Sequence, residues 1–117
     1  MRTLIVLSAL LFGSLASNSA EAQILPTKLR ITVIDGLGNF VEGATVSIYE
    51  NEKDYLASKN AVQTLKTDNK GRVTFKEVKP MAYFVEAKFE DMNNNGEGVK
   101  TGELAEGKLN KVNTVIE

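Results

Sequence analysis

The sequence contains no cysteine, no histidine and no tryptophan, and only two prolines. Lack of cysteine excludes a disulfide framework, a thiol nucleophile and a lipid carried on an N-terminal cysteine, and with histidine also missing nearly every zinc site goes too. Lack of histidine further removes the usual general base. An excess of charge of one sign is lacking as well: 14 basic residues face 15 acidic ones, a net charge of −1. The composition therefore offers no overall electrostatic footprint for nucleic acid or for an anionic membrane. Long hydrophobic runs are limited to Leu4–Leu15, which is too short to cross a bilayer, so no membrane insertion is expected.

That apolar run has a different use. Arg2 gives it a positive start, and Ala20-Glu21-Ala22 places small residues where a signal peptidase reads them. Residues 1–22 are expected to be a cleaved signal peptide and 23–117 the mature domain, secreted or periplasmic. The mature chain of 95 residues carries 13 bases and 14 acids. One domain of that size buries roughly 60–65% of its unfolded surface, enough for one modest core.

From Pro26 onward the pattern has period two, the mark of half-buried strands. "KLRITVID" puts Leu29, Ile31 and Val33 on one face, and "GLGN" at 36–39 supplies a reversal. "ATVSIYE" repeats the alternation with Val46 and Ile48 inward and Ser47 and Tyr49 outward. Residues 51–61 are polar and predict a long loop with one helical turn near Asp54–Ser58. "VQTLKT", the turn "DNKG" and "RVTFKEV" predict a hairpin with Val73 and Phe75 inward. "YFVEAKFE" turns Tyr83, Val85, Ala87 and Phe89 to one side and Phe84, Glu86, Lys88 and Glu90 to the other. A short strand is expected in "VKTGEL", and a last one in "LNKVNTVIE" with Val112, Thr114 and Ile116 inward. Seven short strands without a long amphipathic helix predict an all-β sandwich.

"GNFVEGATVSIYE" after a strand ending in Asp35, then "TDNKGRVTFKEVKP", then "YFVEA", resemble the carboxypeptidase regulatory-like domains. The resemblance spans residues 28–116 and implies a seven-stranded Greek-key β-sandwich of transthyretin-like (prealbumin-like) type. It also implies little about activity, because such domains serve as accessory modules on secreted enzymes, receptors and adhesins. The 51–61 connection is longer than is usual in that family, which marks it as the place for a protein-specific role.

Four chemistries are open to test. For catalysis, the only mature serines are Ser47 and Ser58, neither beside a base, and the histidines and C-terminal motif of transthyretin-like hydrolases are missing, so no enzyme is expected. For a self-made isopeptide crosslink, the position two before Asp35 holds Val33 where related adhesin domains carry lysine, leaving Lys28 with Asn110 or Asn113 as substitutes. For calcium, Asp91, Asn93 and Asn95 followed by Gly96 match positions 1, 3, 5 and 6 of a D-x-N-x-N-G loop. Position 12 is Gly102 where a bidentate glutamate belongs, with Glu97 or Glu103 as other oxygen sources, so a plain turn is the expected outcome and no cofactor is assigned. For contact with a partner, Ile34, Tyr49, Phe84 and Val115 are apolar or aromatic on nominally outward faces. The reading that results is a non-enzymatic binding module of the bacterial envelope, meeting a protein or a glycan. Its alternative is a calcium-stabilised structural domain of the cell surface.

Overall fold

A computed structural model of the chain describes residues 25–96 and 98–117. The predicted signal peptide therefore lies outside the described residues. Among the described residues there are seven strands: β1 (Thr27–Asp35), β2 (Thr45–Tyr49), β3 (Gln63–Lys66), β4 (Arg72–Val78), β5 (Phe84–Phe89), β6 (Met92–Asn93) and β7 (Leu109–Ile116). A short helix, α1 (Glu52–Ala57), interrupts the connection from β2 to β3. The strands form two sheets, β4-β1-β7 and β3-β2-β5-β6, packed as a sandwich. All pairings are antiparallel except β1 with β7, which run parallel in unbroken register from Lys28↔Leu109 to Asp35↔Ile116.

The core follows the predicted alternation. Leu29, Ile31, Val33, Val46, Ile48, Val73, Phe75, Tyr83, Val85, Ala87 and Ile116 are buried between the sheets, and Phe89 and Val112 pack against them half-buried. Val41 and Leu104 join this core from the connections, where no strand period announces them.

Four expectations are corrected. "VQTLKT" and "RVTFKEV" do not form a hairpin: β3 pairs with β2 and β4 with β1, so the "DNKG" turn arches from one sheet to the other. The turn itself is as predicted, with Gly71 at φ 72° and its amide donating to Asp68 O at 2.9 Å. The pairing changes because both ends are tied to the β1–β2 region. Thr67 Oγ1 accepts from Ala44 N at 2.9 Å and donates to Val41 O at 2.6 Å, while a Cβ on Gly71 would stand 2.6 Å from Val33 O. Second, "VKTGEL" makes no strand; its ladder stops at one bridge, Lys100↔Phe84, with Val85 N donating to Val99 O and Thr101 N to Tyr83 O. Third, the seventh strand is β6, inside the expected asparagine-rich loop, where Glu90 in left-handed backbone (φ 56°) turns β5 directly back on itself. Fourth, the helical turn starts earlier than expected, at Glu52, because Asn51 Oδ1 caps Asp54 N at 2.8 Å.

Candidate functional site

The four outward apolar residues do not make one patch. Tyr49 pairs with Phe84 across β2 and β5, and Ile34 pairs with Val115 across β1 and β7, so two lie on each of the sandwich's opposite outer faces.

On the four-stranded sheet the pair is covered. α1 folds back so that the Tyr55 ring stacks on Phe84, centroids 5.8 Å apart at 27°, and meets Tyr49 edge-on at 6.0 Å and 74°. Tyr49 is only 2% exposed, which corrects its reading as a solvent-facing contact residue, and Ser47 is likewise buried. Glu86 in β5 accepts from Tyr49 Oη and from Ser58 Oγ, both at 2.9 Å, and pairs with Lys88 at 3.5 Å. Lys100 Nζ stands 5.2 Å from the centre of the Phe84 ring. Burial, aided by the Glu86 hydrogen bond and charge, raises the Tyr49 phenol above its ordinary pKa; burial and the Glu86 charge raise Tyr55 too. Both serine hydroxyls of the described residues have partners here, Ser58 on Glu86 and Ser47 on Thr64 Oγ1 at 2.8 Å.

On the three-stranded sheet none of the described residues folds back over the outer face. Alternation along β1 sends Arg30, Thr32 and Ile34 outward. Register sets Lys111, Asn113 and Val115 of β7 beside them and Thr74 and Arg72 of β4 opposite the first two. The row of Ile34 and Val115 continues into Phe40 through an isolated bridge, with Leu37 88% exposed in the adjoining turn. Lys28 and Lys76 extend the face at its other end, where a bulge in β4 sets Lys76 and Glu77 opposite Lys28. An open depression of about 500 Å³, lined by Gln63, Leu65, Thr74, Lys76 and Glu77, runs off the β4 edge.

The asparagine-rich loop is organised by a residue the calcium pattern skips. Asn94 is 1% exposed; its amide donates to Val85 O at 2.9 Å and Thr114 Oγ1 at 3.1 Å, and its oxygen accepts from Ala87 N at 3.0 Å. Of the pattern's own residues, Asn93 Oδ1 accepts from Asn95 N at 3.0 Å, closing a local turn, and Asn95 Oδ1 accepts from Tyr55 Oη at 3.3 Å. Asp91 is exposed at the tip of the β5–β6 reversal. The three side chains are thus assigned to separate tasks. The chemistry that identifies Asn94 is long-range, and no spacing rule in the sequence points to it.

Of the crosslink substitutes, Asn110 meets Lys28 at its main-chain carbonyl. Asn110 is held by the main chain, donating to Lys28 O, Ala105 O and Lys108 O and accepting from Ala105 N at 2.8 Å. Asn113 lies beside Thr32, four register positions from Lys28.

No protein-family model matches the chain, and no curated protein sequence matches it. Solved structures do. A chain of the Bacillus anthracis TIE protein superposes with a TM-score of 0.54 at 20% identity over 98% of this chain and 19% of its own length. The streptococcal ancillary pilin superposes with a TM-score of 0.55 at 16% identity over 98% of this chain and 36% of its own. The chain thus spans about a fifth and about a third of these two proteins, and it shares with them the β-sandwich fold. Among the described residues no helix is long and apolar enough to cross a membrane.

Proposed function

We propose that the chain is a secreted, non-enzymatic module of the bacterial cell surface, a carboxypeptidase regulatory-like sandwich that holds a protein or a glycan of the envelope. The observation that carries this reading is the contrast between an inert interior and an open sheet. The Ser47 and Ser58 hydroxyls and the Asn110 amide are taken up by structural hydrogen bonds, while among the described residues nothing covers the outer face of β4-β1-β7. The likeness to segments of an ancillary pilin and of the TIE protein supports a part played within surface assemblies.

The test is export and capture. Expressed with residues 1–22, the protein is expected outside the cytoplasm with a mature N-terminus at Gln23, and the purified domain is expected to retain a protein or glycan from envelope extract. Retention of the leader in a cytoplasmic product, or an empty capture, overturns the reading.

A further inference from the structure

The uncovered sheet carries charge mainly of one sign. Five basic side chains lie on its outer face, Lys28, Arg30, Arg72, Lys76 and Lys111, in a chain whose acids outnumber its bases. Of the acids of these strands, Asp35 accepts from the amides of Leu37 and Asn39, both at 2.9 Å, and Glu77, the extra residue of the β4 bulge, stands at the margin of the face, where it lines the depression with Gln63, Leu65, Thr74 and Lys76. Among the described residues the ion pairs are Lys79 with Glu50 and Lys88 with Glu86, neither on this face. Arg30 Nε donates to Thr74 Oγ1 at 3.2 Å, which ties the guanidinium to the sheet.

Adjacent strands lie about 4.8 Å apart and outward positions repeat about every 6.7 Å along a strand. Arg30 and Lys111, in register on neighbouring strands, therefore repel each other with no acid between them. An anion laid across them relieves that repulsion. We propose that this face binds an acidic polysaccharide, whose carboxylate or sulfate groups pair with the five cations and whose hydroxyls meet Thr32, Thr74 and Asn113. The face is a three-stranded sheet without a protruding element to enter a duplex groove, and among the described residues its single aromatic is Phe40 at one end, so it lacks both the shape that reads DNA and the stacking platform that holds single strands. A charged sugar chain needs neither. This assignment deepens the surface-module reading and rests on it.

The test is calorimetric titration of the mature domain with polygalacturonate, with neutral dextran and a DNA duplex alongside. Expected are saturable binding to polygalacturonate, none to dextran, and an affinity that falls as salt rises from roughly 50 to 200 mM. The triple variant R30Q/R72Q/K111Q should bind roughly tenfold more weakly or worse, because bound anions and their released counterions scale with the cations removed. K76Q/K111Q, which removes two exposed lysines and no hydrogen bond, should lose less, so a folding defect in the triple variant cannot decide the matter. K53Q/K59Q/K66Q removes equal charge from elsewhere and should bind as the parent does. No binding at low salt, equal losses in the two triple variants, or DNA bound as tightly as polygalacturonate each overturns the proposal. If R30Q/R72Q/K111Q still captures an envelope component while polygalacturonate is not bound, the polysaccharide assignment falls and the surface-module reading stands.

Discussion

The two outer faces of this sandwich begin from the same sequence pattern and end differently. Each sheet places one cross-strand apolar pair outward: Tyr49 with Phe84 on the four-stranded sheet and Ile34 with Val115 on the three-stranded one. On the first, the β2–β3 connection supplies Tyr55 from α1 to complete an aromatic cluster, and Glu86 gathers two hydroxyls and a lysine beneath it. On the second, the connection after β1 turns on Asp35, bridges back to Ile34 through Phe40 and passes by way of the buried Val41 to β2. An outward aromatic is therefore a contact residue only if no connection of the same chain reaches it. The covered face is made by a loop, and among the described residues no loop does the same for the other.

The largest expected effect tests the interior that both faces share. Phe75 is fully buried, and Phe75→Ala should lower unfolding free energy by about 3–5 kcal/mol, read by urea titration. A loss under about 1 kcal/mol would show that β4 does not face the core. Next comes Asn94→Ala. It leaves the Ala87 amide and Val85 carbonyl without their side-chain partner in a buried setting, and should cost about 2–3 kcal/mol. If Asn94→Ala behaves like a surface change, the loop does not dock as described.

The comparison itself is sharpened by Tyr55→Ala. Removing the ring uncovers Phe84 and Tyr49, and should cost about 1–2 kcal/mol in thermal or urea unfolding, with a loss of near-UV circular dichroism. The double variant K76Q/K111Q on the other face should change stability by less than about 0.5 kcal/mol, since those side chains are solvated. Equal effects on the two faces would erase the distinction between them.

Acid separates the turns. Asp35 is held below its ordinary value of 3.8 chiefly by the Asn39 amide, and Asp68 below the same value chiefly by the Arg72 amide. A carboxyl depressed in the folded state contributes stability that is complete above its unfolded pKa and is lost as pH falls through the folded one. Stability should therefore decline from about pH 4 downward, and Asp68→Asn should flatten part of that decline in a pH series of melting temperatures. An unchanged acid limb in Asp68→Asn would remove the Asp68 turn from this account.

Much of the architecture was legible in the residues because a period of two survives wherever one side of a strand is buried. Leu29, Ile31, Val33, Val46, Ile48, Val73 and Phe75 all face inward as read. Pairing was less legible: the "DNKG" turn looks like a hairpin locally, and only the Thr67 contacts with Val41 and Ala44 send β3 and β4 to different sheets. The site was least legible. Tyr49 and Phe84 were marked correctly as outward, yet their cover comes from a polar segment whose one aromatic, Tyr55, has no periodic signal. The basic face is invisible in a net charge of −1, since only register collects its five cations.

The smallest effect is expected where the sequence looked most like a motif. Asp91, Asn93 and Asn95 keep the spacing of a calcium loop, but a cation needs six to eight oxygens converging at about 2.3–2.6 Å. Asn93 instead closes a turn on the Asn95 amide, and Asn95 turns its oxygen to the Tyr55 hydroxyl on the covered face. That leaves Asp91 as an exposed carboxylate at a reversal set by the backbone of Glu90 and by β5–β6 pairing. Asp91→Ala should accordingly shift unfolding free energy by no more than about 0.5 kcal/mol, in calcium and in chelator alike. A ligand held only by the folded state raises the melting temperature by mass action, so a stabilisation by millimolar calcium that disappears in Asp91→Ala would establish the calcium-bound alternative. It would also mean that Asn93 and Asn95 leave the partners they hold here. The Tyr55 hydroxyl would then lose its acceptor, and calcium would be expected to loosen α1 from the sheet it covers.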